Sequence, residues 1–241
     1  MIPLHAHCFF EQSGTFRDAF RQLNIPAIDY DIRDDFGKTD ITIDLFKEID
    51  DAYTGKRSIF DIIDKNDLII AFYPCIYFNE SNEMYFCNTS YNLRALSQES
   101  RLAQIINRAY MRNDYYVRLI KLFAVCERMQ LRLIVENPYN AHHYLRFNFP
   151  YKPAVIDMNR LLRGDYFKKP TQYFFLNIVP GHGQSLQKDK KMRYVNNQRS
   201  SDKAGICSTA RSMISPDYAH NFICDFILDT PSGNNVLTLF D

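Results

Sequence analysis

Residues 67–78 of the chain read DLIIAFYPCIYF, and this stretch decides how the rest of the sequence is interpreted. Its first half is a continuous apolar run of strand length, which is typical of a central parallel strand that is covered on both faces. The run ends at Tyr73, Pro74 and Cys75. A cysteine in this place is either a packed core residue or a nucleophile at the carboxyl end of a strand in an α/β sheet.

The segment before this strand has the pattern of a strand–helix–strand unit. LHAHCFF (4–10) ends at Glu11, and the small residues 13–15 separate it from FRDAFRQL (16–23), whose apolar residues have helical spacing. IPAIDYDI (25–32) follows as a second strand. This order predicts neighbouring parallel strands.

The remaining sequence adds helices and strands of the same kind. ITIDLFKEIDDAY (41–53) predicts a helix, and residues of about 94–129 predict one long helix or two helices that break near Asn113. Three more strands and a final helix, capped at Ser215 and Pro216, are predicted in the segments 131–139, 151–158, 171–179 and 215–228. We therefore expect one α/β domain over 1–241, with a mostly parallel sheet and helices on both faces.

Composition excludes several classes of protein. Charged residues make up 24% and hydrophobic residues 46% of the chain, as in ordinary globular domains, and no run approaches the roughly 20 apolar residues of a membrane span. The six cysteines have no CxxC spacing, which argues against a zinc ribbon or a disulfide scaffold. The pair His142–His143 has no companions at ligand spacing, so no metal site is predicted. We expect a cytoplasmic protein without a membrane partner.

Charge is uneven along the chain. The formal net charge is +1, so the sequence has no overall basic signature for nucleic acid. Residues 187–211 nevertheless concentrate lysine and arginine against two aspartates. This segment either contacts phosphates or forms a solvated loop, and charge alone does not separate the two.

Polar residues follow three of the predicted strands at the point where each strand ends. They are Glu11 to Thr15, Pro74–Cys75 and Glu136–Asn137. The carboxyl ends of parallel strands line one crevice, where open α/β sheets bind their ligands. We therefore expect these three ends to meet in space, although 61 positions separate Cys75 from Glu136.

A thiol and a carboxyl group at one sheet edge suit a specific reaction of pyrimidines. Carbon C5 of a pyrimidine is a poor nucleophile, but addition of a thiolate at C6 makes C5 enamine-like and able to attack an electrophilic methyl group. A nearby carboxyl group assists by hydrogen-bonding or protonating N3. The turn after the first strand opens a helix, and Gly14 would let a nucleotide-like cofactor approach the backbone there.

The order of these motifs resembles that of DNA cytosine-C5 methyltransferases. FEQSGTF (10–16) is similar to their Phe-x-Gly-x-Gly-x-Phe motif but keeps only the second glycine, YPC (73–75) resembles Pro-Pro-Cys, and ENP (136–138) resembles Glu-Asn-Val. KKPTQYFF (168–175) and RSMISPDYAHNF (211–222) resemble later segments of some members. The matches follow the family's order over nearly the whole chain.

The resemblance implies a Rossmann-like class I methyltransferase that transfers a methyl group from S-adenosylmethionine to C5 of cytosine in DNA. Cys75 would form the covalent adduct, Glu136 would bind a base that is flipped out of the duplex, and Asn137 would hold the loop. The host would be a bacterial or phage-infected cell. Besides DNA, the implied partners are a separate specificity subunit or a cognate restriction enzyme.

The resemblance also assigns binding residues. Asp29 would bind the ribose hydroxyls, Tyr30 the adenine face and Asp40 the adenine amino group. The methionine end of the cofactor and the adjoining loop would contact Phe10, Ser13, Gly14, Thr15 and Pro74. DNA contacts are implied for basic residues late in the chain, namely Lys169, Lys190, Lys191, Arg193, Arg199 and Arg211.

The sequence also departs from the family pattern. The Gln-x-Arg-x-Arg motif, whose arginine helps the carboxyl group to hold the base, is not visible in TQYFFLN (171–177), so Arg211 or Lys169 would have to replace it. Gln12 stands where the first glycine of the cofactor turn belongs. A short basic insertion at about 181–210 takes the place of a full target-recognition domain.

These departures leave two other hypotheses open. One is a catalytically inactive, methyltransferase-like subunit that binds nucleic acid or another protein. The other is a thiol hydrolase, which would require a histidine close to Cys75 in the fold.

Overall fold

The computed structural model describes residues 2–183 and 213–230, and seven strands among these residues form one mixed sheet. In spatial order the strands are β3 (Ile41–Thr42), β2 (Ala27–Asp31), β1 (Ala6–Phe9), β4 (Leu68–Ala71), β5 (Arg132–Pro138), β7 (Thr171–Leu176) and β6 (Val155–Asp157). Strands β3, β2, β1, β4 and β5 pair in parallel, whereas β7 runs antiparallel to both β5 and β6. The prediction of a mostly parallel α/β sheet is therefore confirmed.

Helices cover both faces of the sheet, as predicted. Helices α2 (Leu45–Tyr53) and α4 (Gln98–Met129) pack on one face, and α1 (Thr15–Gln22) and α6 (Pro216–Phe222) pack on the other. The connections contain the short helices α3 (Tyr91–Arg94) and α5 (Tyr144–Asn148), and 3₁₀ turns at Ile59–Ile62, Glu80–Tyr85 and Arg160–Arg163. A π-helical turn, Ile223–Leu228, continues α6.

The core lies in two layers because alternate residues of a strand point to opposite faces of the sheet. Phe9, Ile69 and Leu133 pack with α2 and α4, whereas Cys8 and Ile70 pack with α1 and α6. Every residue of β4 is buried. A strand that is covered on both faces has no polar alternation, which explains the apolar run seen in the sequence.

Side-chain caps set the start of two helices. The carboxylate of Asp44 accepts a hydrogen bond of 3.0 Å from the backbone N–H group of Phe46 at the start of α2. The hydroxyl oxygen of Ser215 accepts a hydrogen bond of 3.2 Å from the N–H group of Tyr218, and Pro216 follows the cap. The predicted cap of the final helix is therefore confirmed.

One predicted element differs from the structure, and one choice that the sequence left open is decided by it. The sequence predicts one helix over 41–53, but Ile41–Thr42 form strand β3 beside β2, and the helix begins at Leu45 because Asp44 caps it there. The region of about 94–129 contains the single long helix α4, which has no break near Asn113. Buried residues in its second half anchor this helix to the sheet, while most of its first half is exposed or partly exposed.

Much of the late basic region falls outside the described residues. This applies to the segment 187–211 and to most of the insertion predicted at about 181–210. Among the helices that the structure describes, none is both long enough and apolar enough to cross a membrane. Helix α4 has the length, but arginine side chains recur along it.

The strand order opens a crevice at the carboxyl ends of β1 and β4. From β1 the chain continues through α1 to β2 on one face, and from β4 it continues through α4 to β5 on the other face. Neighbouring strands whose connections leave to opposite faces form the ligand-binding crevice of open α/β sheets. The register aligns Phe9 with Ala71 and Ala71 with Val135, so the segments that follow these residues meet at the crevice.

Candidate active site

The residues that follow β1 and β4 contact each other across the crevice. Phe10 adopts a left-handed conformation with a φ of 59°, which turns the chain sharply after β1. The centroid of its ring lies 5.3 Å from that of Tyr73 and 5.5 Å from that of Phe46 in α2. The first turn and the Tyr73-Pro74-Cys75 loop are thus brought together.

Cys75 lies in the loop after β4 and is partly buried. Its carbonyl oxygen accepts hydrogen bonds from the N–H groups of Phe78 and Asn79, so the chain turns directly after the cysteine. Desolvation and the nearby Glu136 carboxylate raise the pKa of the Cys75 thiol to about 11, and Lys169 opposes this rise. The structure therefore places the predicted nucleophile, the predicted carboxyl group and Lys169 in one neighbourhood.

Asn137 connects the end of β5 to this loop. The side chain is wholly buried, and its Nδ2 atom donates a hydrogen bond of 3.1 Å to the carbonyl oxygen of Tyr73. Pro74, which follows Tyr73, is partly buried at the same place. This is the contact expected of a residue that holds the loop.

A wholly buried arginine holds Glu136. The Nη1 atom of Arg160 lies 3.5 Å from Oε1 of Glu136, and Nη2 lies 2.7 Å from Oδ2 of Asp165. The guanidinium carbon also lies 4.4 Å from the centre of the Tyr218 ring. A planar cation held by two carboxylates and a ring has little freedom to move, so it fixes the orientation of the Glu136 carboxylate.

The final helix supports this arginine. The Tyr218 hydroxyl donates a hydrogen bond of 3.2 Å to Oδ2 of Asp157, at the end of β6. The N–H group of Ser215 donates a hydrogen bond of 3.0 Å to Oδ1 of Asp165. The segment that resembles the family's last motif therefore fixes the loop in which Arg160 lies.

The sequence reasoning did not identify Arg160 as the partner of Glu136. Strand β7 contains no arginine, and Lys169 or Arg211 was the replacement predicted. Arg160 comes instead from the 3₁₀ turn after β6, and Arg211 lies outside the described residues. The signal available in the sequence was NRLLR (159–163), which contains the arginines between the two strands.

The turn after β1 forms around Gly14, which has a φ of 67° and precedes the first residue of α1. Ser13 and Thr15 are partly buried, and their hydroxyl oxygens lie 2.9 Å apart in a hydrogen bond. The surface of Gly14 is covered by the chain itself, because a Cβ atom there would collide with the Arg17 guanidinium. Glu11 is buried beneath this turn.

The structure argues against the roles predicted for Asp29 and Tyr30, whereas Asp40 is exposed and its predicted role stays a prediction. Asp29 is wholly buried and pairs with Arg17 at 3.0 Å, and Asp40 pairs with the same guanidinium at 3.2 Å. Tyr30 is wholly buried, and its hydroxyl oxygen lies 3.0 Å from Nδ1 of His7. These side chains connect α1, β1 and β2 within the protein, which leaves Asp29 and Tyr30 no surface for a ribose or an adenine.

The carboxyl end of β2 is formed by Asp31 and Ile32 instead. Oδ1 of Asp31 accepts a hydrogen bond of 2.8 Å from the N–H group of Arg33, and desolvation raises the pKa of Asp31. Ile32 is 60% exposed. The predicted strand 25–32 ends close to the observed end of β2 at Asp31, but the resemblance assigned the ribose contact to Asp29, two residues before that end.

The predicted DNA contacts are mostly untested by the structure. Lys169 is described and lies near Cys75, as its effect on the thiol pKa shows. The remaining predicted contacts lie outside the described residues; they are Lys190, Lys191, Arg193, Arg199 and Arg211.

No histidine forms a hydrogen bond with Cys75 in the described ranges. His143, whose ring centroid lies 6.4 Å from that of Phe78 in the loop after Cys75, is wholly buried, and its Nδ1 atom lies 3.3 Å from Nε2 of Gln172. Desolvation lowers the pKa of His143 to about 4, so this ring is neutral at pH 7. The thiol hydrolase hypothesis therefore lacks its required histidine there.

The same ranges contain no cluster of three or more His, Cys, Asp and Glu side chains suited to a metal ion.

Comparison with known proteins does not assign a family or a function to this chain. Neither the family models nor the curated proteins gave a match to the chain. The function is therefore argued from the site itself.

The two charges near Cys75 should shift its reactivity in opposite directions. Replacing Glu136 by glutamine removes the negative charge that raises the thiol pKa, so the Glu136→Gln thiol should become more reactive at neutral pH. Lys169→Met should make it less reactive. The measurement is the rate of iodoacetamide alkylation of the Cys75 peptide from pH 7 to pH 10, followed by mass spectrometry.

The matched control is Glu127→Gln, which removes an exposed carboxylate at the far end of α4. It should leave the alkylation profile unchanged. A profile that is the same in the wild type, Glu136→Gln and Lys169→Met would show that the three side chains are not close in solution.

Proposed function

We propose that this protein transfers a methyl group from S-adenosylmethionine to C5 of cytosine in DNA, with Cys75 as the nucleophile. The observation that supports this most is that the Glu136 carboxylate, which lies against the buried Arg160, raises the pKa of the Cys75 thiol. A thiol and a positioned carboxyl group at the crevice of an α/β sheet are the groups that addition to a pyrimidine requires. The same proposal includes the assignment of this α/β sheet to the class I methyltransferase fold.

The proposed reaction assigns each bond and proton to a group of the protein. The Cys75 sulfur forms a bond to C6, and the thiol proton passes through Glu136 to N3 while an electron pair moves to C5. C5 would then bond to the methyl group, whose bond to sulfur breaks so that the sulfur keeps the electron pair as an uncharged thioether. Loss of the C5 proton to solvent and departure of the Cys75 thiolate restore the aromatic ring, and the N3 proton returns through Glu136 to that thiolate. Arg160 keeps Glu136 oriented, and Lys169 favours the thiolate.

S-adenosylmethionine, when bound, supplies the electrophilic methyl group. The turn after β1 and the end of β2 offer hydrogen-bond acceptors: the Glu11 and Asp31 carboxylates, and Oε1 of Gln12, which is buried and has no hydrogen-bond partner among the described residues. Acceptors of this kind suit an ammonium group and ribose hydroxyls. The residues that would line the cofactor are Phe10, Ser13, Thr15, Asp31, Ile32 and Pro74, whereas Gly14 shapes the turn but is covered by Arg17.

The direct test is methyl transfer to DNA. Wild-type protein incubated with labelled S-adenosylmethionine should place the label on C5 of cytosine, as nucleoside analysis after digestion would show. Glu136→Gln should reduce the initial rate by about 10²- to 10⁴-fold, because it can no longer transfer a proton to N3. The Glu127→Gln variant should retain the wild-type rate. Label on adenine, or on no base, would contradict the proposal.

A second candidate, the catalytically inactive subunit, is favoured by two observations. The pKa of the Cys75 thiol is about 11, so little thiolate exists at pH 7, and Arg17 covers Gly14 in the cofactor turn. Titration with S-adenosylmethionine separates the two candidates. Heat of binding and a raised melting temperature favour the enzyme, whereas neither signal would be seen with a subunit that has lost its cofactor site.

A further inference from the structure

Two hydrogen bonds hold the chain directly after Cys75. The N–H group of Tyr144, the first residue of α5, donates a hydrogen bond of 2.9 Å to the carbonyl oxygen of Phe78. The Nδ2 atom of Asn140 donates a hydrogen bond of 3.0 Å to Oδ1 of Asn79. Because the N–H groups of Phe78 and Asn79 donate to the carbonyl oxygen of Cys75, both bonds hold a turn that contains the cysteine.

Ring contacts support one of these two bonds. The rings of Tyr144 and Phe78 stack with their centroids 6.0 Å apart and their planes at 16°, and the guanidinium carbon of Arg112 lies 4.6 Å from the centre of the Tyr144 ring. The other bond joins the side chains of Asn140 and Asn79, both of which are partly buried. A single substitution at Asn140 therefore removes one bond to the turn and leaves the backbone and ring contacts in place.

The carboxylate that acts on the thiol belongs to the same segment as these donors. Glu136 lies in β5, four residues before Asn140, and its carboxylate raises the pKa of the Cys75 thiol. Asn137, next to it, holds the carbonyl oxygen of Tyr73 on the other side of the cysteine. One stretch of chain thus carries the acid and holds the loop of the nucleophile at both ends.

We propose, building on the function above, that Asn140 is a positioning residue: its hydrogen bond to Asn79 keeps the turn after Cys75 where the sulfur lies beside the Glu136 carboxylate. Asn140 acts through this turn and transfers no proton itself. Addition to a pyrimidine requires the sulfur and the carboxyl group to reach C6 and N3 of the same ring at once, and a misplacement of about 1 Å can cost about 100-fold in rate.

The test measures how strongly Cys75 and Glu136 interact, by alkylation of the thiol with iodoacetamide at pH 8 and low salt, where screening is weak. In the wild-type background, Glu136→Gln should raise the alkylation rate about tenfold, the scale of one partly screened charge pair. In the Asn140→Ala background the same substitution should raise it about threefold or less, because the sulfur is no longer kept beside the carboxylate. Each ratio compares two proteins that differ by one charge, so a general loosening of the loop, which changes both rates, cancels.

The matched control is Asn107→Ala, which removes an exposed amide from α4 and should keep the tenfold ratio. Asn79→Ala removes the acceptor of the same bond and should lower the ratio as Asn140→Ala does, and combining the two substitutions should lower it no further. A tenfold ratio in folded Asn140→Ala would overturn the inference, as would a ratio of one in the wild-type background. If Asn140→Ala does not fold, Asn79→Ala decides in the same way.

Methyl transfer separates this inference from the proposed function. Alkylation requires neither DNA nor S-adenosylmethionine, so a wild type without methyl transfer would refute the proposed function and leave the alkylation ratios as evidence for the placement of Cys75. Where the wild type is active, Asn140→Ala should lower kcat about 10- to 100-fold with an unchanged KM for DNA. A raised KM with an unchanged kcat would assign Asn140 to DNA binding and contradict a positioning role.

Discussion

Replacing Cys75 by serine is expected to abolish covalent capture of DNA that contains 5-fluorocytosine. Fluorine at C5 cannot leave as a proton does, so the adduct formed by Cys75 persists after methyl transfer and can be seen on a denaturing gel. Serine cannot replace the thiol, because its hydroxyl is a far weaker nucleophile. Loss of a catalytic nucleophile should also lower the rate of methyl transfer by about 10⁴-fold or more.

The matched control is Cys87→Ser, which removes an exposed cysteine from the connection between β4 and α4. It should form the adduct at the wild-type rate. Adduct in Cys75→Ser at the wild-type level would remove Cys75 from the mechanism. If capture required Cys87 instead, the nucleophile would lie in the exposed segment, and the electrostatic interaction between Cys75 and Glu136 would have no catalytic role.

Replacing Arg160 by methionine should have the largest effect on stability. The guanidinium is wholly buried, and its removal would leave Glu136 and Asp165 buried without their cation. Breaking a buried pair by removing one partner costs about 3–5 kcal/mol of the free energy of unfolding. Urea denaturation measures this loss. Arg128→Met, which removes an exposed arginine that donates to backbone carbonyl oxygens, should cost about 1 kcal/mol or less.

A purely structural role for Arg160 can be separated from a positioning role by Arg160→Lys. Lysine keeps the charge but lacks the planar fork that reaches Glu136 and Asp165 together, and it stacks less well on Tyr218. At a temperature where this variant is folded, adduct formation should fall about tenfold or more while affinity for S-adenosylmethionine stays unchanged. Unaltered adduct formation in folded Arg160→Lys would limit Arg160 to a structural role.

The local sequence predicted much of the fold because its signals depend on near neighbours. The apolar run of β4, the helical spacing of α1 and the cap at Ser215 each follow from residues a few positions apart, and the structure confirms all three. Local signals did not define the element boundaries in two segments where more than one reading fits the residues. ITIDLF contains a two-residue strand before its helix, and IDYDI does not show which acid ends β2.

The candidate site was only partly accessible to this reasoning. The idea that strand ends share one edge brought Cys75 and Glu136 together across 61 positions. It could not reveal Arg160, whose contact with Glu136 spans 24 residues and depends on how the turn after β6 packs under Tyr218. The sequence also could not reveal that Asp29 pairs with Arg17. The direction in which a strand side chain points depends on the register of the strand and not on the residue type.

The sequence by itself determined the alternation of strands and helices, and with it the order in which polar residues reach the carboxyl edge of the sheet. Only the tertiary structure decided which of those residues face the crevice and which are neutralised in the interior. The reason is physical: periodicity is set by bonded geometry within a segment, whereas the partner of a buried charge is set by packing between segments far apart in the chain.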